Sequence, residues 1–268
     1  MSWHKFADHR DRIVSKSGEW IIGGGSTLHS YNIQQDLVQN ASWMQCMLLS
    51  VTGKLYPTNI ATFVEALFVV TGYPDPRLWC NRVGALAGSS QCSAAASIAT
   101  SISSAEGMVY GGQAIYKSSI FLQKAHSQLF DNGGDALSLF VDDYLSQKKT
   151  IFGFGRPLTN TEERIHPIIE KALSLGLNEG RYCLVAKNIE SYLQARSKNI
   201  ILNFGGYIAA WLLDLGFKSV QIYHIQTLLF YNGMVPCYIE AFENEPGTFL
   251  PIACEDILYE GVEERELP

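Results

Sequence analysis

Residues that could carry out acid–base chemistry lie beside a glycine turn in the first half of the chain. Glu106 and Tyr110 come just before Gly111 and Gly112, and glycines allow a ligand to approach the backbone closely. A carboxylate can remove a proton from carbon, and a phenol can donate a hydrogen bond to the oxyanion that forms. Glu106 and Tyr110 are therefore candidate catalytic residues, and the two glycines are candidate binding residues.

Two arginines follow a second glycine turn and could bind an anion. Gly153 and Gly155 flank a phenylalanine, Arg156 comes next, and Arg164 lies in the first turn of a predicted helix. A guanidinium offers a fork of donors that suits a carboxylate, and the N-terminal amides of a helix also favour anions. We predict that Arg156 and Arg164 converge on one anion site.

Both arginines also have a structural interpretation. Arg156 precedes a proline and could be a surface residue, whereas Arg164 could pair with Glu162 or Glu163. The retained glycines have a similar alternative, because tight helix packing also requires small residues. These alternatives stay open from the sequence alone.

The composition excludes several functional classes. A net charge of −6 and a pI near 5.5 argue against nucleic acid as a partner, since phosphate neutralisation needs a basic face. No apolar segment is long enough to span a bilayer, and the first 20 residues lack the apolar core of a signal peptide. We expect a soluble, cytoplasmic protein that uses small-molecule or protein partners.

Metal and disulfide chemistry are not supported by the spacing of cysteines and histidines. The cysteines form no C-x-x-C pair and have no nearby ligand spacing, so reduced thiols packed as small hydrophobic groups are expected. His126, His166 and His224 lie among mixed helical residues and are expected to have surface or core roles.

The elements that position these residues are predicted to be helices. Apolar residues recur at three- and four-residue spacing almost throughout, which predicts an all-α protein, at least two-thirds helical, with no sheet beyond a short hairpin. Ser42 and Gln45 form a capping-box pattern, and Gly53 is a typical helix stop. Pro57 and Thr58 begin a second helix that runs to residue 70.

Further helices are predicted at residues 87–106, 162–176 and 199–216. The first is rich in Ala, Ser, Thr and Gly, which favours a crowded interior, and the second begins with a capping pattern at residues 159–162. Glycine-bearing turns at residues 72–76 and 151–155 are the expected lobe boundaries. The three glycines at residues 23–25 lack the Gly-Lys-Ser/Thr of a phosphate loop, so a flexible turn with no preceding strand is expected.

Four separated segments resemble, in the same order, motifs of the citrate synthase and citryl-CoA lyase superfamily. The first runs from HSYNI at residues 29–33 to GKLYPT at residues 53–58, and it resembles RGYDIEDL…LLL.GELPT. The second is the Tyr-Gly-Gly turn at residues 110–112, where the family has His-Gly-Gly or Phe-Gly-Gly. The closing Tyr-Glu-Gly at residues 259–261 is similar to the family's terminal Y-x-G.

The other two segments carry the arginines and a helix start. GFGR at residues 153–156, with Arg164 downstream, resembles the family's Gly-x-Gly-His turn and its D-P-R or D-M-R arginine. NIILNFGG at residues 199–206 resembles the NLILNVDG segment of the lyase module in ATP-citrate lyases. The resemblance spans residues 30 to 261.

The resemblance implies an all-helical fold with a large and a small lobe, a homodimer, and a site for a CoA thioester and a di- or tricarboxylate. In such enzymes a carboxylate removes a proton alpha to the thioester, histidines stabilise the enol and the ketone oxygen, and arginines hold the carboxylates. The chain is expected to be a single citrate synthase-like unit, with large-lobe helices at about residues 1–75 and 200–268. The remaining large-lobe helices and the small lobe are expected within residues 76–199. No permanently bound cofactor is implied.

Three positions depart from the family pattern. The resemblance places Arg156 where the turn histidine stands, Gly205 where the carboxylate of NLILNVDG stands, and Tyr110 where the His-Gly-Gly histidine stands. Gly205 is therefore retained only as a candidate substrate-binding position. Losing one general acid or base lowers a rate by about 10²–10⁴-fold, so ordinary citrate synthesis is not expected.

Two functional hypotheses follow. In the first, the protein binds an acyl-CoA and a carboxylate and catalyses altered carbon–carbon bond formation or cleavage with Glu106, Tyr110 and Arg156, while Arg164 binds substrate. In the second, it is a non-catalytic homologue that binds a metabolite or a partner. The glycine framework favours the first hypothesis, and the missing catalytic groups favour the second.

Overall fold

In the computed structural model the chain folds into packed helices. The structure describes residues 10, 13–108, 110–132, 136–147, 150–156, 161–196, 200–227 and 229–267. Helices make up 60% of the structure, which confirms the predicted all-α class. The helical share is below the two-thirds that periodicity predicts, because loops and a small sheet take up part of the N-terminal region and an irregular segment follows the last long helix.

A three-stranded antiparallel sheet lies near the N-terminus. Its strands are β1 (Trp20–Ile21), β2 (Gly25–Leu28) and β3 (Tyr31–Asn32), in the order β1-β2-β3. The glycines at residues 23–25 make the turn between β1 and β2, where Gly25 has a φ of 90°. The turn was predicted correctly, but the expectation that no strand precedes it and no sheet exceeds a hairpin was wrong.

Two short helical segments, Ile33–Leu37 and Val38–Asn40, lead into the longer helices. In chain order these are α1 (Trp43–Thr52), α2 (Thr58–Thr71), α3 (Trp79–Ser89), α4 (Ala94–Ser104), α5 (Gly112–Asn132), α6 (Ala136–Ser146), α7 (Ile165–Ser174), α8 (Arg181–Ala195), α9 (Phe204–Asp214), α10 (Ser219–Gln226) and α11 (Tyr231–Glu243). None of the helices that the structure describes combines the length and apolarity that crossing a membrane requires.

Local capping signals place the ends of α1 and the start of α2 correctly. The Ser42 hydroxyl accepts from the Gln45 amide while the Gln45 side chain accepts from the Ser42 amide, so the predicted capping box is present. Gly53 closes α1 in a left-handed conformation with φ 72°, and α2 begins at Thr58 as predicted. The capping pattern at residues 159–162 lies partly outside the described residues.

The small-residue helix predicted at residues 87–106 is interrupted. α3 ends at Ser89 and α4 begins at Ala94, because serine side chains between them bond to the backbone and compete with helical hydrogen bonds. Ser90 Oγ donates to the Ala87 carbonyl, and Ser93 Oγ accepts from the Ala96 amide. Only one face of α4 is buried. The helix was expected to lie in a crowded interior, and this is true of that face alone.

The chain divides into two compact units. The first comprises Met1–Tyr73 and Ala105–Phe230, and the second comprises Pro74–Ser104 and Tyr231–Pro268. The first break falls within the predicted turn at residues 72–76, whereas the turn at residues 151–155 lies inside the first unit. Residues 105–199 group with the N-terminal segment in the first unit.

Each unit has its own core. In the first unit, α9 packs against α5 and α8 and buries the large side chains of Phe204, Tyr207 and Trp211 almost completely. Burying a large apolar side chain stabilises a fold by roughly 1.5–3 kcal/mol, so α9 is a central support for the segments around it. In the second unit, α3 packs against α11, and Gly88 lets the two backbones approach closely.

Candidate functional site

The turn that carries Glu106 depends on two glycines. Gly111 has a φ of 88°, and a Cβ atom there would collide with the Ala105 carbonyl oxygen. The Gly112 amide donates to the same carbonyl at 3.2 Å, and α5 begins at this residue. The glycines therefore fold the chain back on itself and set Glu106 beside the first turn of α5.

Glu106 is held by two neutral donors from different helices. Its Oε1 accepts a hydrogen bond from Tyr223 Oη on α10 at 2.6 Å and another from Gln113 Nε2 on α5 at 2.9 Å. A Cβ atom on Gly112 would lie 3.1 Å from Glu106 Oε2, so the glycine also leaves space beside the second oxygen. We call Glu106, Gln113 and Tyr223 the acid cluster.

The hydrogen bond to Glu106 changes the titration of its partner. It raises the pKa of Tyr223, because ionising the phenol would remove the donated proton and place two negative charges together. Tyr223 therefore remains a hydrogen-bond donor at neutral pH. The phenol orients the carboxylate without neutralising it.

Tyr110, next to the glycine turn, packs its ring against that of Phe230. Its ring centroid lies 5.5 Å from that of Phe230, with the two planes tilted by 35°. The ring of Tyr116, one turn along α5, lies 5.5 Å from that of Tyr223. Aromatic rings thus pack near the Gly111–Gly112 turn.

Gln113 and Tyr223 were not predicted from the sequence as members of the site. Gln113 lies only seven residues from Glu106, and its place directly after the glycine pair could have suggested that it faces back toward the carboxylate. Tyr223 is 117 positions away, so no local pattern pointed to it.

The second glycine turn supports the start of α9. Phe154 forms an isolated antiparallel bridge with Leu202, and the Asn203 amide donates to the Gly153 carbonyl at 3.0 Å. A Cβ atom on Gly206 would collide with that carbonyl, and the Asn203 side chain caps the helix by accepting from the Gly206 amide. Gly153 and Gly206 are therefore required where two backbones cross.

Gly155 and Gly205 differ in their surroundings. The Gly155 amide donates to the Ile201 carbonyl at 2.7 Å, and its α-carbon faces open space. A Cβ atom on Gly205 would lie 3.2 Å from Ile115 Cγ1 and 3.3 Å from Asn203 Oδ1, which is tighter than ordinary packing. The position that carries the carboxylate in the resembling motif is thus crowded by an apolar side chain.

Arg156 is bound by the chain's own oxygens. Its guanidinium makes a bidentate pair with Glu163 at 2.6 and 2.9 Å and also donates to the Thr161 carbonyl at 2.7 Å. The pair raises the pKa of Arg156, and the Arg156 hydrogen bonds lower the pKa of Glu163 to about 2. Only 19% of the Arg156 side chain is exposed, so it is not the open surface residue that one interpretation allowed.

Arg164 is bound by Glu162. Its Nε and Nη2 donate to the two oxygens of Glu162 at 2.7 and 2.8 Å, and its guanidinium lies 4.8 Å from the centre of the Phe204 ring. The Phe204 amide also donates to Glu162 at 3.0 Å, and Arg156 Nη1 lies 3.7 Å from the same carboxylate. The two arginines therefore do lie around one carboxylate, which belongs to Glu162.

The arginine cluster, meaning Arg156, Glu162, Glu163 and Arg164, and the acid cluster are connected by α5. Gln113 belongs to the acid cluster, Ile115 packs against Gly205, and Ser118 contacts the Gly153 turn. At 1.5 Å per residue, Gln113 and Ser118 are separated by about 8 Å along the helix axis. One helix thus holds both glycine turns.

His126, His166 and Cys237 lie outside these two clusters. His126 packs its ring on Tyr182 at 4.9 Å, and His166 lies on the surface 3.7 Å from Glu170. All six cysteines are free, and burial raises the pKa of the Cys237 thiol to about 11. A thiol with so high a pKa is a poor nucleophile at neutral pH.

Several solved structures have a fold similar to that of this chain. The citryl-CoA lyase of Hydrogenobacter thermophilus superposes with a TM-score of 0.82 at 24% identity, over 96% of this chain and 97% of that one. An ATP citrate lyase from Methanothrix soehngenii, in complex with citrate and coenzyme A, superposes with a TM-score of 0.76 at 18% identity over 98% of this chain. The match covers only 45% of that longer protein.

A citrate synthase from Thermotoga maritima is more distant. Its TM-score is 0.62 at 17% identity, over 85% of this chain and 60% of the synthase. No family model matches the sequence, and no curated protein sequence does. The structural matches agree with the resemblance of the four sequence segments, and the chain has the fold of the citryl-CoA lyases and citrate synthases.

Proposed function

We propose that this protein binds a CoA thioester and uses Glu106 to remove a proton from the carbon next to the thioester carbonyl. The observation that carries the proposal is the acid cluster, in which a carboxylate is oriented by Tyr223 and Gln113 beside the N-terminus of α5. One structural relative is a citryl-CoA lyase and another was solved in complex with citrate and coenzyme A, which supports this class of ligand.

The chemistry needs few groups. Glu106 accepts the α-proton, the electron pair of the broken C–H bond forms the double bond of an enolate, and the carbonyl π electrons move to the thioester oxygen. Hydrogen-bond donors then stabilise that oxygen, and we assign this role to the Tyr110 phenol together with the amides of Gln113 and Ala114 in the first turn of α5. The enolate can attack a carbonyl carbon to form a carbon–carbon bond, or be generated when such a bond breaks.

The second substrate must differ from that of ordinary citrate synthesis. Arg156 and Arg164 are already paired with Glu163 and Glu162, and Gly205 supplies no carboxylate. We expect no detectable citrate from acetyl-CoA and oxaloacetate. A turnover near 1 s⁻¹, within the usual range for enzymes, would contradict this expectation.

A second candidate function is a non-catalytic metabolite-binding or partner-binding subunit. The observation that favours it is the arginine cluster, because both arginines are held by carboxylates of the chain itself. In this case the protein binds a CoA ester without exchanging its α-protons.

One experiment separates the two functions. Purified protein is titrated with acetyl-CoA by calorimetry, and the methyl protons of acetyl-CoA are then followed by NMR in D₂O. The enzyme function predicts binding and protein-dependent deuterium incorporation. Binding without incorporation supports the non-catalytic function, and the absence of binding by any CoA ester contradicts both.

We also propose that the protein is a homodimer and acts in the cytoplasm, as the resemblance and the sequence imply. Light scattering at micromolar concentration tests the first point. A monomer mass near 30 kDa at that concentration would contradict it.

A further inference from the structure

Glu162 has the surroundings of a bound ligand. Only 4% of its side chain is exposed, and its oxygens accept from Arg164 at 2.7 and 2.8 Å and from the Phe204 amide at 3.0 Å. Arg156 Nη1 adds a further positive charge at 3.7 Å. An ionised carboxylate accepts hydrogen bonds at both oxygens, and these donors come from three separate places in the chain.

Each of these donors also has a contact that does not involve Glu162. Arg164 lies over the Phe204 ring, and Arg156 is fixed by Glu163 and by the Thr161 carbonyl. The Phe204 amide belongs to the first turn of α9, a helix whose own cap is the Asn203 side chain. Removing the Glu162 carboxylate would therefore leave a positively charged, largely buried space with its donors still in position.

The size of that space defines what can fill it. Replacing Glu162 by alanine removes Cγ, Cδ and both oxygens, which are the four heavy atoms of acetate. Among the residues that the structure describes, the two guanidiniums would then keep the ion pair of Arg156 with Glu163, so the space would also favour a negative charge. Both shape and charge point to a small monocarboxylate.

We infer that Arg164, Arg156 and the Phe204 amide form a receptor for one small carboxylate, and that Glu162 is its tethered occupant. Glu163 does not compete for this role, because its side chain is 64% exposed and binds Arg156 from the solvent side. In the wild-type protein the receptor is filled, so an external carboxylate gains nothing there.

Chemical rescue tests this inference. The Tm of Glu162→Ala is measured against sodium acetate, with sodium chloride at equal ionic strength as the salt control. We expect a saturable rise of about 5 °C at acetate 100 times its dissociation constant, and no such rise with chloride. Acetate should not stabilise the wild type, Glu163→Ala, or Glu162→Gln, whose side chain still fills the space.

One further variant and one further measurement keep the result decisive. The double variant Glu162→Ala with Arg164→Ala should lose the acetate response, because the bidentate donor is gone. If Glu162→Ala is insoluble, the denatured protein is refolded in acetate or in chloride, and an acetate-dependent yield supports the receptor.

An acetate response equal in wild type and variant, or equal refolding yields in the two salts, overturns the inference. The test reads the stability of Glu162 variants and uses no CoA ester. Its failure is therefore distinct from a failure of the proposed function.

Discussion

Glu106 and Glu162 are both held by hydrogen bonds in the first unit, but their donors differ in charge. Glu106 is bound by the neutral phenol of Tyr223 and the neutral amide of Gln113, whereas Glu162 is bound by the guanidinium of Arg164 with that of Arg156 nearby. Neutral donors orient a carboxylate and leave its charge available for proton transfer. Guanidiniums neutralise the charge and make the group part of the framework.

The two carboxylates also differ in how deeply they are buried. The Glu162 side chain is almost completely buried, and Glu106 is only half-buried beside two glycines. A buried, paired carboxylate is expected to contribute to stability, while a half-exposed, oriented carboxylate is placed to meet a substrate. Substituting Glu162 should therefore lower the stability of the fold, whereas substituting Glu106 should lower activity.

The largest effect is expected from Glu162→Ala. Removing one partner of a buried ion pair leaves Arg164 without its counter-charge, so the free energy of unfolding should fall by about 3–5 kcal/mol. Urea denaturation measures this value, and Glu163→Ala is the matched control. If the two variants lose equal stability, the contrast between buried and exposed carboxylates in the arginine cluster is wrong.

An intermediate effect is expected from Tyr223→Phe. The phenyl ring keeps the contact with Tyr116, but Glu106 loses one oriented hydrogen bond, so proton exchange with a CoA thioester should slow by about tenfold. Tyr223 acts here as a positioning residue. Tyr116→Phe should leave the pH dependence of stability unchanged, which separates the two rings.

The sign of the Tyr223 pH effect follows from its raised pKa. The hydrogen bond from Tyr223 to Glu106 stabilises the fold fully below the pKa of an unfolded tyrosine, near 10. This stabilisation is lost as pH rises through the higher pKa of Tyr223 in the folded protein. The Tm difference between wild type and Tyr223→Phe should therefore shrink above pH 10. A difference that stays constant from pH 7 to 12 would show that Tyr223 does not donate to Glu106.

The smallest effect is expected from Glu163→Gln. Its folded pKa of about 2 lies below the ordinary value of 4.5, so the pair with Arg156 stabilises the fold above pH 4.5 and is lost as pH falls toward 2. Because most of the side chain is exposed and screened, the loss should stay below about 1 kcal/mol. Acid denaturation of the variant and of the wild type between about pH 2 and pH 4.5 measures this loss of stability. A larger loss would mean that Glu163, like Glu162, is part of the structural framework.

Local signals allowed much of the fold to be predicted. Ser42, Gln45 and Gly53 fix the ends of α1 through hydrogen bonds between close neighbours, and such bonds can be read from spacing. The break between α3 and α4 was missed, because serines at residues 90 and 93 can bond either within a helix or to a turn. Sequence spacing does not decide between these two choices.

The candidate site divides in the same way. The pairing of Arg164 with Glu162 involves residues two positions apart and was foreseen as the structural alternative. The contacts of Glu162 with Phe204 and of Glu106 with Tyr223 join residues 42 and 117 positions apart, so they depend on how the helices pack. The sequence therefore indicated the carboxylates and arginines but not which of them would be neutralised.

The most direct test of Glu106 as the base is deuterium exchange of acetyl-CoA by Glu106→Gln in D₂O. The amide keeps the size of the side chain but cannot accept a proton, so the exchange rate should fall by about 10²–10⁴-fold, while Glu170→Gln on α7 should match the wild type. If Glu106→Gln exchanges protons at the wild-type rate, Glu106 is not the base.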